Sequence, residues 1–221
     1  MSNPIIEEIS KRSREAILQK VRKAYKNPDF KRVETEDPVV HIQRSPDKLD
    51  DMITRMTENK YVVERCKENE IENKINEIVS SYGFSTMMYP ENIGIDIDKI
   101  KASKKMCYDK QIEEIRHEVF HTDFSVIRAK AGVASHGVAL VVSTPEQPRM
   151  MSLATILCIM LLKKEDVVDS LVDALHLVKK DYPDVLPTNI LFIAGPSRTA
   201  DIELVTVFGV HGSQKVHIII Y

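Results

Sequence analysis

From residue 61 to the end of the chain, short apolar runs of strand length alternate with amphipathic stretches of helical period. That alternation limits the fold more than any other feature, because it is the pattern of a layered α/β domain built on a largely parallel sheet. Strands are predicted at 61–65, 84–89, 124–128, 138–142, 155–162, 189–194 and 216–221, where β-branched and aromatic residues cluster. Helices are predicted at 46–59, with Ser45 as N-cap and Pro46 in the first turn, at 70–82, ended by Gly83, and at 111–121, 165–180 and 199–208. The second of these carries Ile71, Ile75, Ile78 and Val79 three or four apart, as an amphipathic helix requires. Residues 90–109 show neither period.

Ahead of this body, Ile5, Ile9, Ala16, Ile17 and Val21 recur at helical spacing among charges, so a helix is predicted at 4–25, followed by a linker with two prolines at 26–38. The chain thus divides into an N-terminal helix and linker, 1–38, and an α/β domain, 39–221, on which the helix is expected to dock as an extension. The 31 basic and 33 acidic residues nearly cancel. They leave no charge field of the kind that recruits nucleic acid or a membrane surface. The longest strongly apolar run, 153–162, falls short of the roughly 20 residues a membrane-spanning helix needs. The N-terminal stretch lacks the uninterrupted apolar core of a signal peptide, so a cytoplasmic location is expected.

The run His117-Glu118-Val119-Phe120-His121 has the spacing by which zinc peptidases hold a metal on a helix with two histidines and polarise water with the glutamate. Its context is wrong for that chemistry. Phe124 stands where the extended motif of one large peptidase class has glycine, and Glu146, a downstream acid, lies in the turn-like segment 144–148. Helical spacing also puts Ile112, Ile115 and Val119 on one side, and Glu113, Glu114, His117, Glu118 and His121 on the other. The motif reads as a solvated helix face, and no metal site is assigned to it. Cys66, Cys107 and Cys158 are far apart and form no Cys-x-x-Cys pair, so this chain alone is not expected to build a zinc ribbon or an iron–sulfur cluster.

The segment 188–221, TNILFIAGPSRTADIELVTVFGVHGSQKVHIIIY, carries more information. An apolar strand runs into Gly195-Pro196-Ser197-Arg198-Thr199, and Asp201 and Glu203 follow in the first turn of the helix predicted at 199–208. Acids suit that end of a helix dipole, and Ser197 or Thr199 can cap its free N–H groups. A second loop, Gly209-Val210-His211-Gly212-Ser213, precedes the terminal strand. If the strands at 189–194 and 216–221 are parallel neighbours, the first loop lies at a carboxyl end of the sheet. Its N–H groups, with Arg198 and His211, then favour an anionic ligand. His217, alternating with Val216 and Ile218, is expected to pack within its strand.

These residues carry a resemblance. The string GPSRTADIE at 195–203, with Gly209-Val210-His211-Gly212 and the hydrophobic end, resembles the C-terminal signature of the LUD-domain family, in its lactate utilisation protein C group (LutC, YkgG). Upstream, DFSVIRAKAGVASHG at 123–137 is similar to the segment that in the family normally reads A-D-x-G-I-T-x-A and then I-A-E-T-G. Pro148-Arg149 with Ser152-Leu153 resembles its P-R-x-x-S-L element. The similarity covers about 120–221 clearly, and the first half only in its order of helices and strands. Ser135 and His136 stand where the family usually has Glu and Thr, Ala154 where it often has Pro, and Ser213 where Pro often follows His-Gly. The 117–121 stretch falls on the helix leading into the family's A-D-x-G-I strand, which is not a metal motif there.

The resemblance implies a three-layer, Rossmann-like α/β sheet similar to that of the sugar-isomerase and CoA-transferase group. It also implies a subunit of an L-lactate utilisation system that oxidises lactate to pyruvate with iron–sulfur partner proteins, the clusters residing in the partners and no cofactor in this chain. The expected ligand site comprises Arg149, Gly195, Ser197, Arg198, Thr199, Asp201, His211 and Gly212 around a small anion. Its arginines would grip a carboxylate in fork geometry, with the histidine within reach of a hydroxyl proton. No catalytic residue is assigned. Two alternatives stand beside this one. The first is a stand-alone enzyme of the isomerase or acyl-transfer kind, acting on a phosphosugar or CoA thioester. The second is a non-catalytic ligand-binding or assembly module, with which the altered Ser135-His136 pair is compatible.

Overall fold

The computed structural model describes residues 4–26, 46–200, 206–209 and 211–221. The chain divides into two compact units, Met1–Pro38 and Val39–Tyr221. In the first, α1 (Pro4–Tyr25) is one long helix with Arg22 and Lys23 in its last turn, cations that suit the negative end of its dipole. No helix among the described residues is long and apolar enough to cross a membrane.

In the second unit, α2 (Lys48–Glu58) starts behind an aspartate rather than at Pro46. Asp47 Oδ1 accepts the Asp50 N–H at 3.1 Å, so this carboxylate is the N-cap in place of Ser45. β1 (Val62–Arg65), α3 (Ile71–Tyr82) and β2 (Thr86–Tyr89) fall within the predicted spans, and Gly83 ends α3 in the left-handed conformation, φ 69°. β3 (Lys104–Cys107) lies in the stretch without a visible period, where the four residues KKMC are too few and too polar to stand out. α4 (Ile112–Phe120), β4 (Phe124–Arg128), β5 (Ala131–Val133), β6 (Val138–Val142) and β7 (Leu157–Leu162) follow. The helix expected from 165 is delayed, because Val167 and Val168 pair as β8 (Val167–Val168) beside β5. Ser170 then starts α5 (Leu171–Asp181) with a reciprocal cap. Its hydroxyl accepts the Asp173 N–H at 3.2 Å, and the Asp173 carboxylate accepts the Ser170 N–H at 3.0 Å. β9 (Ile190–Ile193), β10 (Arg198–Ala200), β11 (Thr206–Phe208) and β12 (Lys215–Ile220) complete the described elements.

Six strands form one wholly parallel sheet in the order β1-β12-β7-β4-β2-β3. A parallel sheet needs cover on both faces, and β7 (LCIMLL) is buried along its whole length. On one face Ile75, Ile78 and Val79 of α3 pack with Phe124, Val126 and Ile159. On the other, Met52 and Met56 of α2 and Ile115 and Val119 of α4 pack with Ile127, Met160 and Ile218. The three-layer expectation therefore holds around this sheet. A second, mixed sheet, β8-β5-β6-β9, was not foreseen. Ala139 and Val141 of β6 share the α2–α4 core, while Val133 and Leu140 turn to Ala174 and Val178 of α5.

Two expectations are corrected. β9 and β12 are not parallel neighbours: β9 pairs antiparallel with β6 in the second sheet, whereas β12 lies between β1 and β7 in the first. Residues 216–220 are all buried and need a covered central position, whereas β9 is only half-buried throughout. The helix predicted at 199–208 is replaced by an antiparallel pair, with Arg198 opposite Phe208 and Ala200 opposite Thr206. The β-branched and aromatic Thr199, Thr206, Val207 and Phe208 favour strand, which outweighs the helix-start signal of the acids at 201 and 203.

The β5–β6 turn closes on Gly137, whose N–H donates to the Val133 carbonyl at 2.9 Å. Its φ is 58°, and a Cβ there would lie 2.5 Å from the Arg55–Met56 peptide of α2. Gly83 shares the positive φ but has open space around it. Gly137→Ala should therefore cost about 2–4 kcal/mol in chemical denaturation, and Gly83→Ala only about 1–2 kcal/mol. Equal losses would refute the close packing of the turn on α2.

His217 on β12 is 4% exposed, with Nε2 2.9 Å from the Tyr82 hydroxyl and Nδ1 without a partner among the described residues. Burial, helped by the charge of Lys215, lowers its pKa from 6.5 to about 4. Above pH 6.5 the ring is neutral in both folded and unfolded chains, so it favours neither. As pH falls from 6.5 towards 4 the unfolded chain takes up the proton first, and stability drops by about 1.4 kcal/mol per pH unit. Thermal midpoints should fall over that interval, and His217→Gln, which keeps a hydrogen-bonding group but cannot titrate, should flatten the acid limb.

Candidate functional site

α2 ends at Asn59, and this residue gathers two loops. Its Nδ2 donates to the carbonyls of His136 and Gly137 at 2.9 and 3.1 Å. Gly195, φ 92°, rests on its backbone, where a Cβ would come within 2.1 Å of the Asn59 carbonyl oxygen. Two residues on, the Tyr61 hydroxyl donates to the Ile193 carbonyl at 2.6 Å, which fixes the end of β9. Burial drives that hydroxyl well above the ordinary tyrosine value, so it remains a neutral donor. The Ser135-His136 turn thus sits beside the Gly195 turn. Within it the Ser135 Oγ is 2.7 Å from His136 Nδ1, and the Ser135 N–H is held by the Asp169 carbonyl at 3.0 Å.

Ser197 is the hub of the next contacts. Its N–H donates to the Ser213 carbonyl at 2.9 Å, its carbonyl accepts the Gly209 N–H at 3.0 Å, and its Oγ accepts the His211 N–H at 3.2 Å. Ser213 Oγ reaches the Ser152 carbonyl at 3.4 Å, and Ser152 Oγ donates to the Arg149 carbonyl at 3.0 Å. A Cβ on Gly212 would sit 3.4 Å from the Ser197 Cβ, so a glycine lets the two loops touch. The segments 149–153, 195–199 and 209–213, far apart in the chain, therefore meet. They meet at the amino edge of the parallel sheet, just ahead of β7 and β12, where the Lys215 N–H donates to the Ile156 carbonyl at 3.0 Å. The anion argument from a helix dipole at residue 199 falls away with the helix. What remains there are backbone N–H groups and the exposed side chains of Arg198, Thr199 and His211. Asp201 lies outside the described residues.

Arg149 is carried on the short turn Arg149–Ser152, which Ser125 secures from β4 by donating to the Met151 carbonyl at 2.6 Å. The arginine lines two cavities. One, of about 680 Å³, lies between the 143–148 loop and the 182–188 connection, with Thr144, Tyr182, Val185 and Leu186 on its walls. The other, of about 540 Å³, runs along α4. The structure brings Gly195, Ser197, His211 and Gly212 together, and seats Arg149 on the adjoining turn with its side chain among other elements. Asn59, Tyr61 and Ser125 were missed because each acts on a distant backbone group. A buried hydroxyl or amide in a sequence carries no mark of its partner.

His117 and His121 are exposed, with stacked rings 4.1 Å apart, and His121 Nδ1 is 2.7 Å from the His117 carbonyl of its own turn. Among the described residues no three His, Cys, Asp or Glu side chains are grouped so as to hold a metal. The three cysteines are free thiols, and burial pushes that of Cys158 up to about 12.

The sequence profile of the LUD domain matches residues 49–221. Among curated relatives, YkgG of Escherichia coli (strain K12) is 37% identical over 99 residues, 43% of this chain and 42% of that protein. Lactate utilization protein C of Bacillus licheniformis is 30% identical over 114 residues, 51% of this chain and 46% of that protein. Lactate utilization protein C of Anoxybacillus flavithermus is 32% identical over 88 residues, 40% of this chain and 39% of that protein. The matched part spans about half the length of these relatives, or less. A crystal structure of a DUF162 family protein from Deinococcus radiodurans superposes with a TM-score of 0.59 at 13% identity, covering 78% of this chain and 95% of that one, and so shares the fold. With the profile running from the start of α2 through the Ser197 hub to the last residue, the chain belongs to the LUD-domain family.

Proposed function

We propose that this protein is a cytoplasmic subunit of a lactate-utilisation system, working with iron–sulfur partner proteins in the oxidation of L-lactate to pyruvate. The observation that carries the proposal is the junction at Ser197, where the three segments bearing the family motifs are hydrogen-bonded to one another. Oxidation of a hydroxy acid to a keto acid by iron–sulfur acceptors releases two electrons and two protons, one from the hydroxyl and one from C2. It therefore needs a carboxylate grip, an acceptor for the hydroxyl proton, release of the C2 proton to solvent or a second base, and an electron acceptor. Arg198 is the candidate grip and His211 the candidate acceptor for the hydroxyl proton, both exposed beside the junction. The electrons are assigned to partners. Cys66, Cys107 and Cys158 lie far apart in the sequence and form no Cys-x-x-Cys pair, which supports clusters carried by partner chains.

The test is thermal unfolding against L-lactate and pyruvate. A ligand at a hundred times its Kd adds about 2.7 kcal/mol to stability, a rise of several degrees in a domain of this size. Wild type should show that rise, and Arg198→Ala should lose most of it while keeping its ligand-free midpoint. No response to either acid would sink the carboxylate site. A normal response without lactate-dependent reduction of added iron–sulfur partners would sink the oxidation role.

A further inference from the structure

Beyond β3 the chain turns through Tyr108 into α4, and a groove of about 540 Å³ runs between that helix and residues 148–150. Lys110, Arg116 and Arg149 line it against a single carboxylate, Glu113. None of the three cations makes an ion pair or a side-chain hydrogen bond among the described residues. Like charges lining the same groove repel, and an anion between them relieves that repulsion.

Two further features point the same way. Tyr108 is only 3% exposed as a residue, and its hydroxyl, which has no hydrogen-bond partner among the described residues and is not among the buried unpartnered atoms, is a free donor in the groove wall. Burial, and then Glu113, push its pKa up, so it stays a neutral donor. At the same end residues 110–113 form part of the groove wall. Phe120, 53% exposed, offers an apolar face at the other end of α4.

We infer that this groove binds a phosphate-bearing small molecule, its phosphate held by Lys110, Arg116 and Arg149 with Tyr108, its organic part lying along Phe120. The surplus of cations over the one acid matches a phosphate ester, which carries about 1.5–2 negative charges near neutral pH, better than a lone carboxylate. The groove opens where β3 ends, at the carboxyl edge of the parallel sheet, the edge at which such sheets ordinarily receive ligands. The Ser197 junction lies at the opposite edge, and only Arg149 is common to both.

Calorimetric titration of the full chain with pyrophosphate and with ADP tests this. Both should bind, ADP more tightly. Arg116→Glu should weaken both by about tenfold or more, and Tyr108→Phe severalfold at an unchanged thermal midpoint. Phe120→Ala should weaken ADP alone. Arg14→Glu, a charge reversal on α1, should change neither. The inference is overturned if neither probe binds below about 1 mM, if Arg14→Glu weakens binding as much as Arg116→Glu does, or if ADP gains nothing over pyrophosphate. Arg116→Glu should keep any midpoint shift with L-lactate or pyruvate, so failure at one edge of the sheet is distinguishable from failure at the other.

Discussion

The last strand holds the parallel sheet together. β12 pairs with β1 on one side and β7 on the other, His217 opposite Val62 and Ile159, Ile220 opposite Arg65 and Leu162. Among the described residues β1 joins the sheet only through that partner. Without β12 both neighbours would present unpaired peptide groups along a line that is otherwise core, and each such group costs the loss of a hydrogen bond without water to replace it. Residues 62–65 and 215–220 must therefore find each other across most of the chain, a non-local pairing of the kind that slows folding. The loop ahead of β12 is anchored to the middle of the sheet as a result, and Ser197 is tied to that loop. The geometry of the candidate site follows from the sheet's closure.

Elements with a full period and a clear stop were legible. α3 shows its apolar stripe and ends on a glycine that the left-handed conformation demands, and β7 is a run that only a doubly covered strand can bury. The second sheet was not legible, since β5 and β8 are three and two residues long, below the length at which alternation can be recognised. The helix predicted from 165 begins only at 171, because Val167 and Val168 pair as a strand and the cap at Ser170 sets the start. The 198–208 pair shows the same ambiguity. Ser, Thr, Asp and Glu after a glycine resemble a capped helix, and only the pairing of 198–200 with 206–208 lets the β-branched residues decide.

For the candidate site, motif spacing located the right loops and misplaced their setting. Gly195, Ser197, His211 and Gly212 do meet, because the two loops bond to each other through Ser197. Their position at the amino edge could not be read, since it depends on β9 and β12 belonging to different sheets. Nor could the part played by Asn59, whose amide ties the 136–137 turn to the end of α2 while its backbone carries Gly195. At 135–136, where the family resemblance implies Glu-Thr, this chain has a serine bonded to its neighbouring histidine. Asn59 anchors the turn that presents them.

The turn at 149–152 is where the two edges of the sheet come closest to sharing a component. Its backbone is committed to the amino edge, with the Met151 carbonyl accepting from Ser125 and the Ser152 carbonyl from Ser213. The side chain of Arg149 is instead spent on the cavities along α4 and beside Tyr182. An anion drawing Arg149 towards Lys110 and Arg116 would act on a side chain whose turn is bonded to Ser213 and, one bond further, to Ser197, the contiguous route along which coupling between the two edges would run. Any coupling between the two edges has to be reciprocal. An occupant at the Ser197 junction that tightens this turn limits, by the same free energy, where Arg149 can reach in the groove.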